Sequence, residues 1–532
     1  MVQEISPQGL QDLLDGSARF ALIDVREPGE YNSSHIPGSS LIPRRLLEFQ
    51  MGQSVPAQGV HVVLCDDDGR RATLAAQTVE SMGYTQVSVL DGGINRWVSQ
   101  NQPTEWGSNV PSKDFGERME VVHHVKEIEA TELHQWIEQG KKIVILDTRT
   151  PEEYKRFCIP GGRSVPGGEL AFRITDITKD LDPDTTVVVN CAGRTRSIIG
   201  TRGLQRMGLT DAVGLKNGTS GWVLAGFELE SGADRTELPQ ISPEGLAAAE
   251  AYATKAASED GVRFLNIGEL QAKMARRPQD NVYLIDVRTQ EEYEAGHIPG
   301  FTWFPGGQVV QRSDDVAVVK NATIVFACDD FARSTLVASW YRQMGMDEVY
   351  AVNGGTEAWS AAGLQLERGG QETTVTGLAD AKAKVSLVSP KELEDRLQDP
   401  TGRATIHVDT SQEFSRGHVP GARWVSRSFL ELRIGEAAPS KDTPLTVTCA
   451  QGQLSILAAA TLSQMGYRNV SALDGGMAAW QKAGLAVETG LTGITRPPTD
   501  MLYSGPDRNY ADMMNYLRWE TALGEKYQSE SL

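Results

Sequence analysis

Cysteine is scarce in this chain: five residues in 532. No two of them stand in a C-x-x-C or similar metal-ligand spacing, so neither a disulfide framework nor a zinc site is expected. Long apolar runs are also missing, which excludes a membrane-spanning helix. The opening stretch MVQEISPQGLQDLLDG has no basic region followed by an apolar segment, so no export signal is read there. The expectation is a soluble cytoplasmic protein whose cysteines are thiols. Positive charge is in deficit as well, with 51 Lys plus Arg against 70 Asp plus Glu, a net charge of −19 and a pI near 5.0. That field argues against a nucleic-acid partner, because phosphate binding needs a basic face. Any site for a small anion must bring its own local positive charge.

What is present is repetition. Cys65, Cys191, Cys328 and Cys449 lie 126, 137 and 121 residues apart, and each follows an apolar β-like run and precedes a helix-like segment. Upstream stand LIDVREPGEY, LDTRTPEEY, LIDVRTQEEY and HVDTSQEF; downstream come SMGY, RMGL, QMGM and QMGY, then LDGGINRW, LKNGTSGW, VNGGTEAW and LDGGMAAW. The period is too long for a thin solenoid, whose repeats run roughly 20–50 residues. Each unit is a domain. Apolar runs such as RFALIDV, VHVVLC and QVSVL alternate with helical patterns such as RRATLAAQTVESMGY, which predicts α/β domains built on a parallel sheet flanked by helices.

The repeats place four domains at residues 1–106, 126–231, 262–366 and 384–490. Between them GSNVPSKDFGERME, the stretch 232–260 and RGGQETTVTGLADAKAK read as linkers. The middle one contains PEGLAAAEAYATKAAS, whose alanine content predicts a helix bridging the two halves. A tail over 491–532 belongs to no repeat. Its central segment is helix-like, and Met513, Met514, Leu517 and Trp519 suggest docking on a neighbour.

A thiolate is favoured where a strand-to-helix loop aims backbone N–H groups at the sulfur, and the same cradle binds small anions. Cys191 has this setting in TTVVVN-CAGRTRS-IIGTRGLQRMG, and Arg194 and Arg196 add the positive charge that the chain otherwise lacks. A cysteine so placed can attack an electron-poor sulfur and hold it as a persulfide.

These residues carry a resemblance. An Asp-x-Arg segment leading to Tyr (Asp24, Arg26, Tyr31; Asp147, Arg149, Tyr154; Asp286, Arg288, Tyr293), the HIPG turns at His35 and His297, the cysteine loop, and a glycine turn ending at Trp97, Trp222, Trp359 or Trp480 recur in order. The chain resembles four tandem domains of the rhodanese family of sulfurtransferases. The resemblance implies that Cys191 takes the outer sulfur of thiosulfate or a similar small anion and passes it to cyanide or a thiol. Loop residues Gly193, Arg194, Thr195, Arg196 and Ser197 would bind the donor and the persulfide. It implies no metal and no organic cofactor, since the protein's own thiol carries the group.

The loops are not equivalent. CDDFARS keeps Arg333 but sets Asp329 and Asp330 beside Cys328, and CAQGQLS has Leu454 where Arg196 stands, so the expected order is Cys191, Cys449, Cys328 and then Cys65. The loop CDDDGRR, from Cys65 to Arg71, is one residue longer, the length found in phosphatases and arsenate reductases of this fold, yet Asp66, Asp67 and Asp68 oppose an oxyanion; a degenerate site is expected. Two alternatives stay open: a largely non-catalytic scaffold binding sulfur carriers or proteins, and phosphatase-like chemistry at Cys65. Cys158 replaces the histidine of the HIPG turn, either as a space-filling residue or as a thiol that resolves Cys191. The Asp-x-Arg arginines are expected to pair with a following glutamate, as Arg149 with Glu152 or Glu153, and the tryptophans to anchor the core.

Overall fold

The computed structural model describes residues 2–329, 331–371, 373–398 and 402–530. It contains four sheets of five parallel strands, each in the order first, fifth, fourth, second, third. In the second domain the central strand Thr186–Asn190 lies between Ile143–Asp147 and Val213–Leu215. Parallel strands covered on both faces must be apolar throughout, which is why TVVVN and IVILD are β-branched runs rather than alternating ones. Register matters for the site. Asp147 is paired with Asn190 and Asp24 with Cys65, so each cysteine sits at or just past the carboxyl edge of its sheet, where ligands bind in open α/β folds.

Helices bury the sheet faces. The loop helix Thr195–Met207 buries Ile198, Ile199 and Leu204, and Trp222 closes the opposite face with its indole N–H donating to the Glu228 carbonyl at 2.9 Å. Trp97, Trp222, Trp359 and Trp480 are all buried, which places them as the core anchors that the sequence suggests.

The domains associate in two compact units. One holds the first and fourth domains; the other holds the second and third together with the tail from Tyr503. In the first unit the contacts repeat with a pseudo-twofold pattern: Arg44 pairs with Glu431 and Arg427 with Glu48, positions related by the same offset of 383. In the second unit Gly167 and Gly168 meet Gly306 and Gly307. A Cβ on Gly168 would stand 2.9 Å from the Gly306 Cα, so only glycine permits this approach.

All three linkers hold helices. GSNVPSKDFGERME becomes most of a helix, Val110–His123, which packs on the loop helix of the second domain. The sequence reading missed it because its buried positions, Val110, Phe115 and Met119, lie outside any repeated mark. The alanine-rich helix Pro243–Asp260 packs on Gly167–Thr178 and Ala332–Gln343 and so joins the second domain to the third. The third linker's helix, Leu378–Lys384, packs on Gln453–Gln464 of the fourth domain. The tail forms the helix Tyr510–Ala522 with Met513 and Leu517 buried; Met514, expected to dock, is exposed. Among the described residues no helix is long and apolar enough to cross a membrane.

Candidate functional site at the cysteine loops

Cys191 directly follows the central strand of the second domain and is 2 % exposed. Its carbonyl accepts the N–H of Thr219 at 2.9 Å, which ties the loop to the turn before Trp222. Gly218 in that turn has φ +53°, and a Cβ there would collide with the Cys191 carbonyl. Gly93, Gly355 and Gly476 stand against the cysteine loops of their own domains in the same way. The repeated glycine is therefore a seat for the cysteine loop.

The Cys191 sulfur lies 3.3 Å from the Ser197 hydroxyl. Burial pushes this thiol up from its ordinary value, and Arg196 together with hydrogen bonds from Ser197 and Gly193 opposes that rise. None of the groups acting most strongly on it is a carboxylate.

The two loop arginines diverge. Arg196 donates to both oxygens of Glu153 at 2.7 and 2.9 Å, and its charge reaches Cys191. Arg194, expected to add charge at the sulfur, turns instead to Glu117 at 2.6 Å and Glu127 at 3.4 Å. Thr195 donates its hydroxyl to Glu520 of the tail at 2.8 Å. Glu117 and Glu520 lie outside the repeat, so nothing in the repeated text pointed to them.

Glu153 is the functional residue that the sequence reading misassigned. Arg149 does not pair with it. Its guanidinium folds back on Asp147 at 2.7 Å and on the Phe157 carbonyl at 2.6 Å, as Arg26 does on Asp24 and Arg288 on Asp286. These arginines are structural staples that hold the start of the HIPG-type turn. The glutamate before the tyrosine is then free for the loop arginine, giving Glu30–Arg71 at 2.8 Å and Glu292–Arg333 at 2.7 Å in the first and third domains. Its signal was in the text, as the acidic residue that directly precedes Tyr31, Tyr154 and Tyr293.

The other three loops differ. Cys328 lies 3.2 Å from the Ser334 hydroxyl, but Arg333 is held by Glu169, Glu292 and Asp329 together. Asp330, which the sequence sets in this loop, lies outside the described residues. Cys449 accepts the N–H groups of Gly452 at 3.1 Å and Ser455 at 3.3 Å. Burial raises its thiol, Ser455 lowers it, and Asp409 adds to the rise. Around Cys65 the N–H groups of Gly69 and Arg71 are occupied by the Asp66 carboxylate, the latter at 2.8 Å. Burial raises the Cys65 thiol far up, with Asp24, Asp66 and Asp67 adding to it against Arg26.

Cys158 lies in a small buried cluster with Tyr154 and Ala233, and an Arg235 nitrogen stands 4.0 Å from its sulfur. In the other domains the same place holds a histidine stacked on an aromatic ring, at 3.9 Å for Tyr31–His35 and 3.7 Å for both Tyr293–His297 and Phe414–His418.

Comparison with known proteins gives a consistent result. The chain is 38% identical to the probable adenylyltransferase/sulfurtransferase MoeZ of Mycobacterium tuberculosis over 99 residues, 19% of this chain, and spans only 25% of that protein's length. It is 26% identical over 261 residues to the 3-mercaptopyruvate sulfurtransferase of Escherichia coli, covering 41% of this chain and 91% of that one. The crystal structure of thiosulfate sulfurtransferase from Pseudomonas aeruginosa superposes with a TM-score of 0.89 at 35% identity, covering 100% of this chain and 99% of that one. The rhodanese-like domain model matches residues 6–100, 129–225, 267–362 and 389–483. With four such matches on four sheets of one topology, the chain belongs to the rhodanese family as four tandem rhodanese-like domains.

Proposed function

We propose that the chain is a sulfurtransferase that moves a sulfane sulfur from thiosulfate or a similar donor to cyanide or a thiol, chiefly through a persulfide on Cys191. The Cys191 thiolate attacks the outer sulfur of thiosulfate. The sulfur–sulfur bond of the donor breaks, sulfite leaves with the bonding pair, and the cysteine keeps the sulfur as a persulfide anion. Attack by cyanide or a thiolate on the outer persulfide sulfur then releases the product and restores the thiolate. The step needs no metal or organic cofactor, and a cytoplasmic setting would keep the thiol reduced between turnovers.

One observation carries this reading. Cys191 joins a loop N–H cradle to an arginine, Arg196, with no carboxylate among its strongest neighbours, whereas carboxylates raise the thiols of Cys65 and Cys449. Arg196 with the N–H groups of Gly193 and Ser197 would stabilise the persulfide charge. The relatives named as thiosulfate and 3-mercaptopyruvate sulfurtransferases support the donor class. At Cys65 the filled cradle favours a degenerate domain over phosphatase-like turnover.

Incubation with thiosulfate followed by peptide mapping tests it. A gain of one sulfur on the Cys191 peptide and loss of thiosulfate:cyanide activity in Cys191→Ser are expected; an unmodified Cys191, or full activity in that variant, overturns the reading.

A further inference from the structure

The C-terminal tail lies directly on the Cys191 loop. Its Glu520 carboxylate accepts the Thr195 hydroxyl at 2.8 Å, and a Cβ on Gly193 would stand 3.5 Å from the other Glu520 oxygen and 3.8 Å from the Tyr516 ring. Fifteen residues before Glu520 in the tail, a Cβ on Gly505 would lie 3.8 Å from the Ala192 side chain. Thr195 thus hydrogen-bonds the tail, and Ala192 and Gly193 lie close enough to it that a single added Cβ would close van der Waals contact.

The tail is held there by more than one anchor. The Lys113 ammonium stands 5.1 Å over the Tyr516 ring and 5.3 Å over the Trp519 ring, and Arg508 lies 4.0 Å over the Tyr516 ring. Asp507 pairs with Arg156 at 2.7 Å, and the Tyr527 hydroxyl donates to Asp114 at 2.6 Å. Glu520 is 1 % exposed, so its carboxylate faces the loop rather than solvent.

We propose that Tyr516 and Glu520 are specificity-determining residues of the Cys191 site: they form its outer wall, pass small reactants, and hold back anionic ones by charge. Two features separate this from simple docking of a tail. The Glu520 carboxylate, whose charge acts on Lys113, Arg194 and Arg508, also accepts the Thr195 hydroxyl and so carries its charge onto the loop that must receive an anionic donor. A tail that only stabilised the domain would also have no reason to touch the cysteine loop itself, since helix Val110–His123 already packs against the helix Tyr510–Ala522 and the segment Glu525–Glu530. The donor side of this inference rests on the persulfide reading above. The wall itself does not.

The test therefore uses a probe that needs no sulfur transfer. Iodoacetate is an anion and iodoacetamide is its neutral near-isostere, and peptide mapping of the full chain reads the alkylation rate of Cys191 with each. The iodoacetate-to-iodoacetamide ratio should rise about fivefold in Glu520→Gln at low ionic strength, shrink again with added salt, and stay at the wild-type value in Glu520→Asp, which keeps the charge. Tyr516→Ala should raise both rates, and should raise the rate with a bulkier maleimide more. Unchanged ratios in Glu520→Gln together with unchanged rates in Tyr516→Ala overturn the wall. With the wall verified, kcat/KM for thiosulfate in Glu520→Gln should rise by a similar factor; a wall that holds while no persulfide forms on Cys191 tells against the sulfurtransferase reading instead.

Discussion

Glu153 holds Arg196 through both guanidinium arms, at 2.7 and 2.9 Å, and so fixes the positive charge that acts most strongly on Cys191. The glutamate is itself fixed. It is the third residue of a helix capped by Thr150, and it accepts the Thr150 N–H while the Thr150 hydroxyl accepts its own. A capping box, usually a device for starting a helix, here also aims a carboxylate at a loop some 40 residues downstream. Removing that charge while keeping the shape, in Glu153→Gln, should lower kcat/KM for thiosulfate by about tenfold, since a mispositioned group costs up to about 10²-fold. A donor carrying no charge should suffer less, and comparison of the two donors checks the role.

The same pair sets a pH dependence. Burial alone would raise the Glu153 carboxyl, but Arg196 and the Thr150 N–H outweigh it and lower it from 4.5 to about 2. A folded value below the unfolded one means that the unfolded chain binds the extra proton, so the contribution is fully present above about pH 4.5 and is lost as pH falls toward 2. The full shift would be worth about 3 kcal/mol. The side chain is 38% exposed, and solvent screening reduces this to about 1–2 kcal/mol. Urea unfolding of wild type and Glu153→Gln should differ by that amount at pH 6 and converge near pH 2; a constant difference across the range would remove the ion pair as its cause.

Repetition made the fold legible. Four copies of one ordered text give the family, the sheets, the cysteine position and the core tryptophans, because each is a local consequence of residues that recur together. What was not legible has a common physical origin. Arg149 and Glu153 are four residues apart, so sequence proximity suggests a pair, whereas the extended backbone at Thr150 separates them and the nearer Asp147 captures the arginine. Glu117, Lys113 and Glu520 reach the second domain from segments that do not repeat, and no pattern marks a residue whose role depends on where a linker or tail lands. Arg194 shows the converse: charge counted from the loop text goes to Glu117 and Glu127 instead of the sulfur.

Within the first unit, the Arg427–Glu48 pair is buried, with 9 % of each side chain exposed, and burial pushing the Glu48 carboxyl up is outweighed by Arg427. Breaking such a pair leaves an uncompensated buried charge. Glu48→Leu is expected to cost about 3–5 kcal/mol in chemical unfolding, while the double variant Glu48→Leu/Arg427→Leu should recover most of it, because two apolar groups of similar volume need no partner. A double variant no more stable than the single one would show that the Arg427 side chain acts through its other contact, the guanidinium on the Arg45 carbonyl at 3.4 Å.

Asp66 gives the clearest reason why the first domain differs from the second. In the second domain the loop N–H groups of Gly193 and Ser197 face the sulfur; in the first, the N–H groups of Gly69 and Arg71 bond to the Asp66 carboxylate. The extra residue in CDDDGRR lengthens the loop enough for a side chain from within it to fill its own cradle, so an anion that would dock there meets a carboxylate already bound. Asp66→Ala should then do two opposite things. It leaves two N–H donors without their partner and should destabilise the chain by about 1–3 kcal/mol. It also removes one of the carboxylates that raise Cys65, so alkylation of Cys65 by iodoacetamide should quicken several-fold. Loss of stability without a faster Cys65 would mean that burial, the largest influence on that thiol, decides its reactivity alone.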